Sequence, residues 1–208
     1  MPIEFLISAL VTLLVVVDPI ALVPSYLAVT HGLPQHARRS VALHAALIAA
    51  AILIGSALVG GWLLRTLSIG LPAFRIAGGL LLFSIASEMM FGVRTERQSQ
   101  QAEQAIEEHL RNFAAFPLAI PLMAGPGAIT ATILLASRSE GDAMRLAILL
   151  AVIVIVLVLC FVVFALAARI AKRLGVTANI VASRLLGVLL AALAVQYVVD
   201  GVRAALAS

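Results

Sequence analysis

The chain has 208 residues, of which 63% are hydrophobic and only 12% are charged, and its mean hydropathy is +1.15. These values lie far outside the range of soluble domains and indicate an integral membrane protein. The net charge of +4 comes mainly from arginines between the apolar segments, which suits anionic lipid headgroups, and no interleaving of aromatic and basic residues indicates nucleic-acid binding.

Six apolar segments are each long enough to cross about 30 Å of hydrocarbon as a helix. The first carries Glu4 as its only early charge and lacks a basic leader, so we expect it to be retained rather than cleaved. The fifth contains the lone cysteine, Cys160, which is expected to pack as a small hydrophobic residue. In chain order the six segments are residues 3–30, 41–64, 71–91, 115–137, 146–168 and 179–202.

Two of these segments contain helix-breaking residues near their centres. Asp18-Pro19 and Pro24 interrupt the first, and Pro121 with Gly125-Pro126-Gly127 interrupts the fourth. Proline removes a backbone donor, glycine permits any dihedral angle, and freed backbone groups cost several kcal/mol in hydrocarbon unless they are buried in protein or face a watery cavity. We therefore expect broken first and fourth helices around a cavity, although a simple proline kink is the alternative for Pro24 and Pro121.

The two breaks supply the predicted binding groups. A half-helix that begins after Pro126 directs backbone N–H groups and a positive dipole end into the cavity, an arrangement that suits a carboxylate. Asp18 offers a carboxylate near mid-membrane depth for an ammonium group, a proton or Na⁺, and it also suits the role of capping a half-helix that starts at Pro19. The predicted substrate-binding residues are Asp18, Pro19, Gly125, Pro126, Gly127, Ala128, Ile129 and Thr130.

The chain also resembles itself. When residues 75–92 are placed over residues 184–201, arginine matches arginine at the start and glycine matches glycine at the fourth and last positions. The same frame, shifted by two residues, aligns the two helix-breaking stretches, so one repeat contains three helices. Because three is odd, the second copy enters the membrane from the opposite face, which gives an all-α fold of six transmembrane helices in two inverted repeats.

Three domains follow, with residues 1–92 as the first repeat and residues 115–208 as the second. Residues 93–114 form the linker, whose polar stretch from 95 to 112 opens with a capping box and carries apolar residues on one face. This pattern predicts an amphipathic cytoplasmic helix at the membrane surface, with a flexible linker as the alternative. Counting Lys and Arg in alternate loops gives eight against four, which places both termini outside by the positive-inside rule.

Four further polar residues are candidates for ion coupling or for pairing inside the bundle. Arg75 and Arg184 occupy equivalent places about one turn inside the third and sixth helices, where they either extend to headgroups or pair with a carboxylate. Glu88 and Gln196 lie toward the far ends of the same helices, at the interface or facing the cavity.

No spacing typical of a metal site, nucleotide loop or catalytic triad is present, so neither an enzyme nor a bound cofactor is expected, and coupling would use H⁺ or Na⁺. Small residues at four-residue spacing suit close helix packing inside the monomer or in a homo-oligomer.

The stretches VDPIALVPSYLAVT, from Val17, and PLMAGPGAITATI, from Pro121, resemble the MarC family of bacterial inner-membrane proteins. The likeness spans nearly the whole chain and places the family's two motifs on Asp18-Pro19 and Gly125-Pro126-Gly127. Family members commonly have glycine where this chain has Ala21. Some relatives are classed as small neutral amino acid transporters, so the resemblance implies a multi-pass protein of the inner membrane with that substrate class.

We therefore expect a secondary transporter that binds a small amino acid or a similar zwitterion at the broken helices. Two alternatives belong to other classes. One is a non-transporting membrane scaffold whose linker recruits a cytoplasmic protein. The other is a lipid or lipid-phosphate carrier, in which Arg75 and Arg184 would be central.

Overall fold

The computed structural model describes residues 2–94, 97, 100, 114–139 and 142–207. Within these residues the chain is all-helical. Its elements are α1 (Pro2–Val17), α2 (Val23–Val29), α3 (Gln35–Thr66), α4 (Leu71–Phe91), the π-helical α5 (Ala114–Met123), α6 (Pro126–Ser137), α7 (Ala143–Ala165) and α8 (Ala167–Leu206).

Four helical stretches of the described chain are long and apolar enough to cross a membrane, namely Gln35–Thr66, Leu71–Phe91, Ala143–Ala165 and Ile180–Leu206. Ile3–Val17 and Pro126–Ser137 are apolar but shorter. This pattern agrees with the prediction of an all-helical, multi-pass membrane protein. The shorter helices belong to the two segments in which helix breakers were recognised.

The helices extend further than the apolar segments that predicted them. α3 begins at Gln35 rather than near residue 41, and α8 begins at Ala167 rather than near residue 179. Residues 169–173, expected in a loop, are therefore helical, and the chain turns at Leu166 instead. Hydropathy detects the part of a helix that suits hydrocarbon, whereas a helix continues into water as long as its residues tolerate the conformation.

Both predicted breaks are present, at Asp18-Pro19 and at Gly125-Pro126, whereas Pro24 lies in the first turn of α2 and Pro121 lies within α5. α1 ends at Val17, Asp18 adopts a left-handed conformation with φ of 50°, and a turn leads to α2 at Val23. The fourth segment is divided between α5 and α6, with Gly125 at the N-cap of α6. Asp18 is one of the few residue types that tolerate positive φ.

Helices α4 and α8 pack against each other along small residues. An added Cβ at Gly79 would lie 2.7 Å from the Ala194 carbonyl oxygen, and one at Gly187 would lie 3.1 Å from that of Ala86. An added Cβ at Gly201 would lie 2.9 Å from the carbonyl oxygen of Pro72, at the other end of the same interface. The contacts recur every seven residues and run in opposite directions along the two helices, so α4 and α8 are antiparallel with closely approaching backbones.

The predicted linker, residues 93–114, lies largely outside the described residues. Of its predicted amphipathic stretch, residues 95–112, only Arg97 and Gln100 are described. The division into three domains stays a prediction.

Candidate functional site

The break between α5 and α6 exposes the start of α6. In α5 the Ala124 amide donates to the Ala119 carbonyl over 2.8 Å, a five-residue step that fits its π-helical form. Pro126 then begins α6, and the Ile129 amide donates to the Gly125 carbonyl over 3.0 Å. The Gly127 and Ala128 amides precede this first α6 bond and have no acceptor within the helix.

Ile129, one of the predicted substrate-binding residues, therefore does not offer its amide to a ligand. Gly125 is the N-cap residue of α6, so its carbonyl accepts the bond that closes the first helical turn, and Ile129 supplies the donor. Only amides earlier in the turn remain available. Of the predicted amides, those of Gly127 and Ala128 stay candidates.

A cavity of about 230 Å³ lies at this break. One wall is the backbone around the start of α6, from Gly125 to Ala128. Three charged side chains, Glu88, Arg94 and Arg97, form another part of the lining, and Val16 and Ile85 are among the apolar residues that complete it. The cavity thus combines a helix N-terminus, two guanidinium groups and one carboxylate.

Arg94 is brought to the cavity by the way α4 ends. Gly92 terminates the helix in a left-handed conformation with φ of 81°, and Arg94 follows two residues later. The side chain is 8% exposed and its Nη2 donates to the Val16 carbonyl, next to the end of α1. Its Nη1 is buried and has no hydrogen-bond partner among the described residues.

Glu88 and Arg97 form an ion pair beside Arg94. Arg97 Nη1 lies 2.7 Å from Glu88 Oε1, and the exposed fractions of the two side chains are 54% and 22%. The second carboxylate oxygen, Glu88 Oε2, is buried and has no hydrogen-bond partner in the part of the chain that the structure describes. Two groups of opposite charge in this cavity therefore each keep an unused hydrogen-bonding atom.

Asp18 and Pro19 do not line the cavity. Asp18 is 3% exposed, and both of its oxygens accept hydrogen bonds from the chain itself. Oδ1 accepts from the Ala21 amide over 3.3 Å, and Oδ2 accepts from the Ser183 hydroxyl over 3.0 Å. The first bond closes the turn at the break rather than capping a half-helix at Pro19, as the sequence suggested, because α2 begins only at Val23 with Leu22 as its N-cap and no side-chain cap. Arg94 also interacts electrostatically with the Asp18 carboxylate.

The other predicted site residues lie elsewhere. Thr130 is buried with its methyl group toward Gly78 on α4, so it packs against a neighbouring helix rather than lining the cavity. Gln196 donates to Asp200 over 2.7 Å. Arg75 and Arg184 make no ion pair with any carboxylate in the described parts of the chain, and of the four pairing candidates only Glu88 lines the cavity.

The sequence placed Arg94 and Arg97 only among the loop charges that set orientation. A signal was present, because Gly92 is a typical helix-ending residue and two arginines follow it closely. Nothing in the sequence indicated that the end of α1 lies against the turn after α4, where Arg94 donates to the Val16 carbonyl. As for metal ligands, the described residues contain no group of three or more His, Cys, Asp or Glu side chains that could hold an ion.

Comparisons with known proteins agree with a membrane role. The profile for "MarC family integral membrane protein" matches residues 3–206. A UPF0056 membrane protein of Archaeoglobus fulgidus is 34% identical over 206 residues, covering 99% of this chain and 95% of that protein. A UPF0056 membrane protein of Aquifex aeolicus is 35% identical over 199 residues, covering 95% and 92%.

The UPF0056 membrane protein YhcE of Escherichia coli is 36% identical over 126 residues, covering 61% of this chain and 59% of that protein. No solved structure matches the chain. The family profile covers almost every residue, and the relatives from Archaeoglobus fulgidus and Aquifex aeolicus align over nearly their whole length. The chain therefore belongs to the MarC family of integral membrane proteins.

Proposed function

We propose that this protein is a secondary transporter of small neutral amino acids or similar small zwitterionic solutes. The observation that carries the proposal is the cavity at the α5–α6 break, where the first amides of α6 lie beside the buried Arg94 and the ion pair of Glu88 and Arg97. Discontinuous helices with an N-terminus facing the ligand are a recurring way in which transporters bind anionic substrate groups. The function proposed is transport rather than an enzymatic reaction.

The packing of the helices supports two inverted three-helix repeats as the framework of this transporter. α3 packs on α5 and α6, while α7 packs on α1 and α2. Likewise α6 contacts α4, and α2 contacts α8. Each of these contacts is exchanged with another when the two halves are interchanged, as expected for repeats related by a two-fold axis in the membrane plane.

Rocking of one repeat against the other would then open the cavity alternately to the two sides of the membrane. The proposed arrangement keeps both termini outside, in agreement with the arginine count, and places the protein in the inner membrane of a bacterium. An imposed H⁺ or Na⁺ gradient is the proposed driving force.

The test is flux in liposomes that contain the purified protein. Uptake of radiolabelled glycine, alanine and serine should occur under an imposed pH or Na⁺ gradient. In Gly127→Val this flux should fall to background, because the added side chain occupies the space between Ile85 and the start of α6. The matched control is Gly55→Val in α3, where an added Cβ meets nothing within 4 Å, and its flux should persist.

Absence of flux under every gradient would refute the proposal and favour a lipid carrier or a scaffold. The lipid-carrier alternative makes a different prediction, namely that neutralising Arg75 and Arg184 together abolishes activity. A scaffold should instead lose its activity when residues 96–110 are deleted.

A further inference from the structure

In the cavity at the α5–α6 break, two atoms from oppositely charged side chains have no hydrogen-bond partner within residues 2–94, 97, 100, 114–139 and 142–207. They are Arg94 Nη1, a donor, and Glu88 Oε2, an acceptor. Both residues line the cavity, and both atoms are buried away from water. A buried charged group with an unused hydrogen-bonding atom costs free energy, so such atoms call for an explanation, and a missing ligand is one.

The arrangement complements a zwitterion. The free amides of Gly127 and Ala128, with the positive end of the α6 dipole, add to the charge of Arg94 and favour an acid group. Glu88 supplies the acceptor that an ammonium group needs. We propose that Arg94 and the start of α6 bind the acid group of the transported solute and that Glu88 binds its ammonium group. This proposal rests on the proposed transport function and assigns the partners within its site.

Asp18 then acts as a positioning residue. Its oxygens are occupied by the Ala21 amide and the Ser183 hydroxyl, and its charge is close enough to Arg94 for an electrostatic interaction but makes no direct contact with it. Ser183 lies on α8, so the carboxylate connects the end of α1 to that helix. The side chain thereby fixes the α1–α2 turn against α8, beside the Val16 carbonyl that accepts from Arg94, while leaving the ligand contacts to other groups.

Size and access set the class of solute. The cavity volume of about 230 Å³ lies below the range of ordinary drug-sized pockets, and Leu81, Ile85 and Leu122 form apolar parts of its wall. A small amino acid with a short apolar side chain fits these limits. Since both unpartnered atoms are covered, a ligand reaches them only when a lining side chain moves, and Arg97, whose side chain is 54% exposed, is the charged lining residue with the most room to do so.

The experiment measures binding to the purified full-length protein by calorimetry with three probes. L-alanine carries both charges, acetate carries only the acid, and L-alaninamide carries only the ammonium. The wild-type protein should bind L-alanine more tightly than either analogue. Glu88→Gln should weaken L-alanine binding by at least about tenfold and change acetate binding by less than about twofold, because the lost contact is made only to the ammonium.

The matched control is Arg97→Gln, which breaks the same ion pair but leaves the Glu88 carboxylate intact. Because Arg97 also lines the cavity, this variant should weaken L-alanine binding, but by less than Glu88→Gln does. Arg94→Lys keeps the charge but loses the planar fork, so it should weaken acetate and L-alanine together. Folding of each variant is checked by the labelling of Cys160, which is fully buried in the folded protein.

Three outcomes would overturn the assignment. If Arg97→Gln weakens L-alanine binding as much as Glu88→Gln does, Glu88 serves only its ion pair. If acetate binds the wild type as tightly as L-alanine, the cavity is an anion site without an ammonium partner. If L-alanine binds and Glu88→Gln leaves its affinity unchanged, the assignment fails while the proposed transport function stands. A wild-type protein that binds none of the three probes would refute both the assignment and the proposed transport function.

Discussion

The close approach of α4 and α8 makes Gly79 a sensitive position for stability. A Cβ added there would lie 2.7 Å from the carbonyl oxygen of Ala194 and 3.0 Å from the backbone nitrogen of Val198. Ordinary contacts begin near 3.4 Å, so in Gly79→Ala the two helices must separate locally by about 0.7 Å. The Val198 Cγ2 atom would also lie 2.7 Å away, but even if that side chain rotates, no rotation relieves the overlap with the two backbone atoms.

A gap of this size removes roughly a quarter to a half of the dispersion energy of the contacts it opens. Overpacking of well-packed interiors typically costs about 1–3 kcal/mol, and we expect Gly79→Ala to lower the free energy of unfolding by about 2 kcal/mol. Gly55→Ala on α3 is the control, since its added Cβ meets nothing within 4 Å. It should be neutral or stabilising by up to about 1 kcal/mol, because alanine favours helix over glycine.

The single cysteine of the chain provides the assay. Cys160 is fully buried in α7, so a thiol-reactive dye labels it only after unfolding. Unfolding of the detergent-solubilised protein by increasing SDS, followed by this labelling, compares the two variants with the wild type. Equal midpoints for Gly79→Ala and Gly55→Ala would refute the packing of α4 against α8 at this position.

Two further predictions concern single side chains. In Ser183→Ala the buried Asp18 carboxylate loses its 3.0 Å hydrogen bond, so the free energy of unfolding should fall by about 1.5–3 kcal/mol. The same SDS titration measures this change, and an unchanged midpoint would contradict the contact. Ser68 is exposed and has φ of 56°, a conformation that costs non-glycine residues about 1–2 kcal/mol. Ser68→Gly should therefore raise the midpoint of thermal unfolding, and a lower midpoint would contradict the strained backbone at this turn.

The broken helices illustrate how far local sequence information reaches. Gly125-Pro126-Gly127 and Asp18-Pro19 cannot continue a regular helix for reasons of backbone sterics alone, and the helices do end beside them. The starts of α3 and α8 were less well predicted, because polar residues limit how much of a helix can lie in hydrocarbon but do not prevent the helix from continuing into water.

The sequence by itself determined that the chain is an apolar, all-helical membrane protein and where its backbone is interrupted, since composition and the chemistry of proline and glycine act locally. It also indicated free amides at the start of α6. Only the tertiary structure decided which charged groups lie next to those amides. Arg94 and Glu88 line the cavity because α1 and α6 lie beside the end of α4, whereas Asp18 is hydrogen-bonded to Ser183. These contacts depend on helix packing rather than on spacing along the chain.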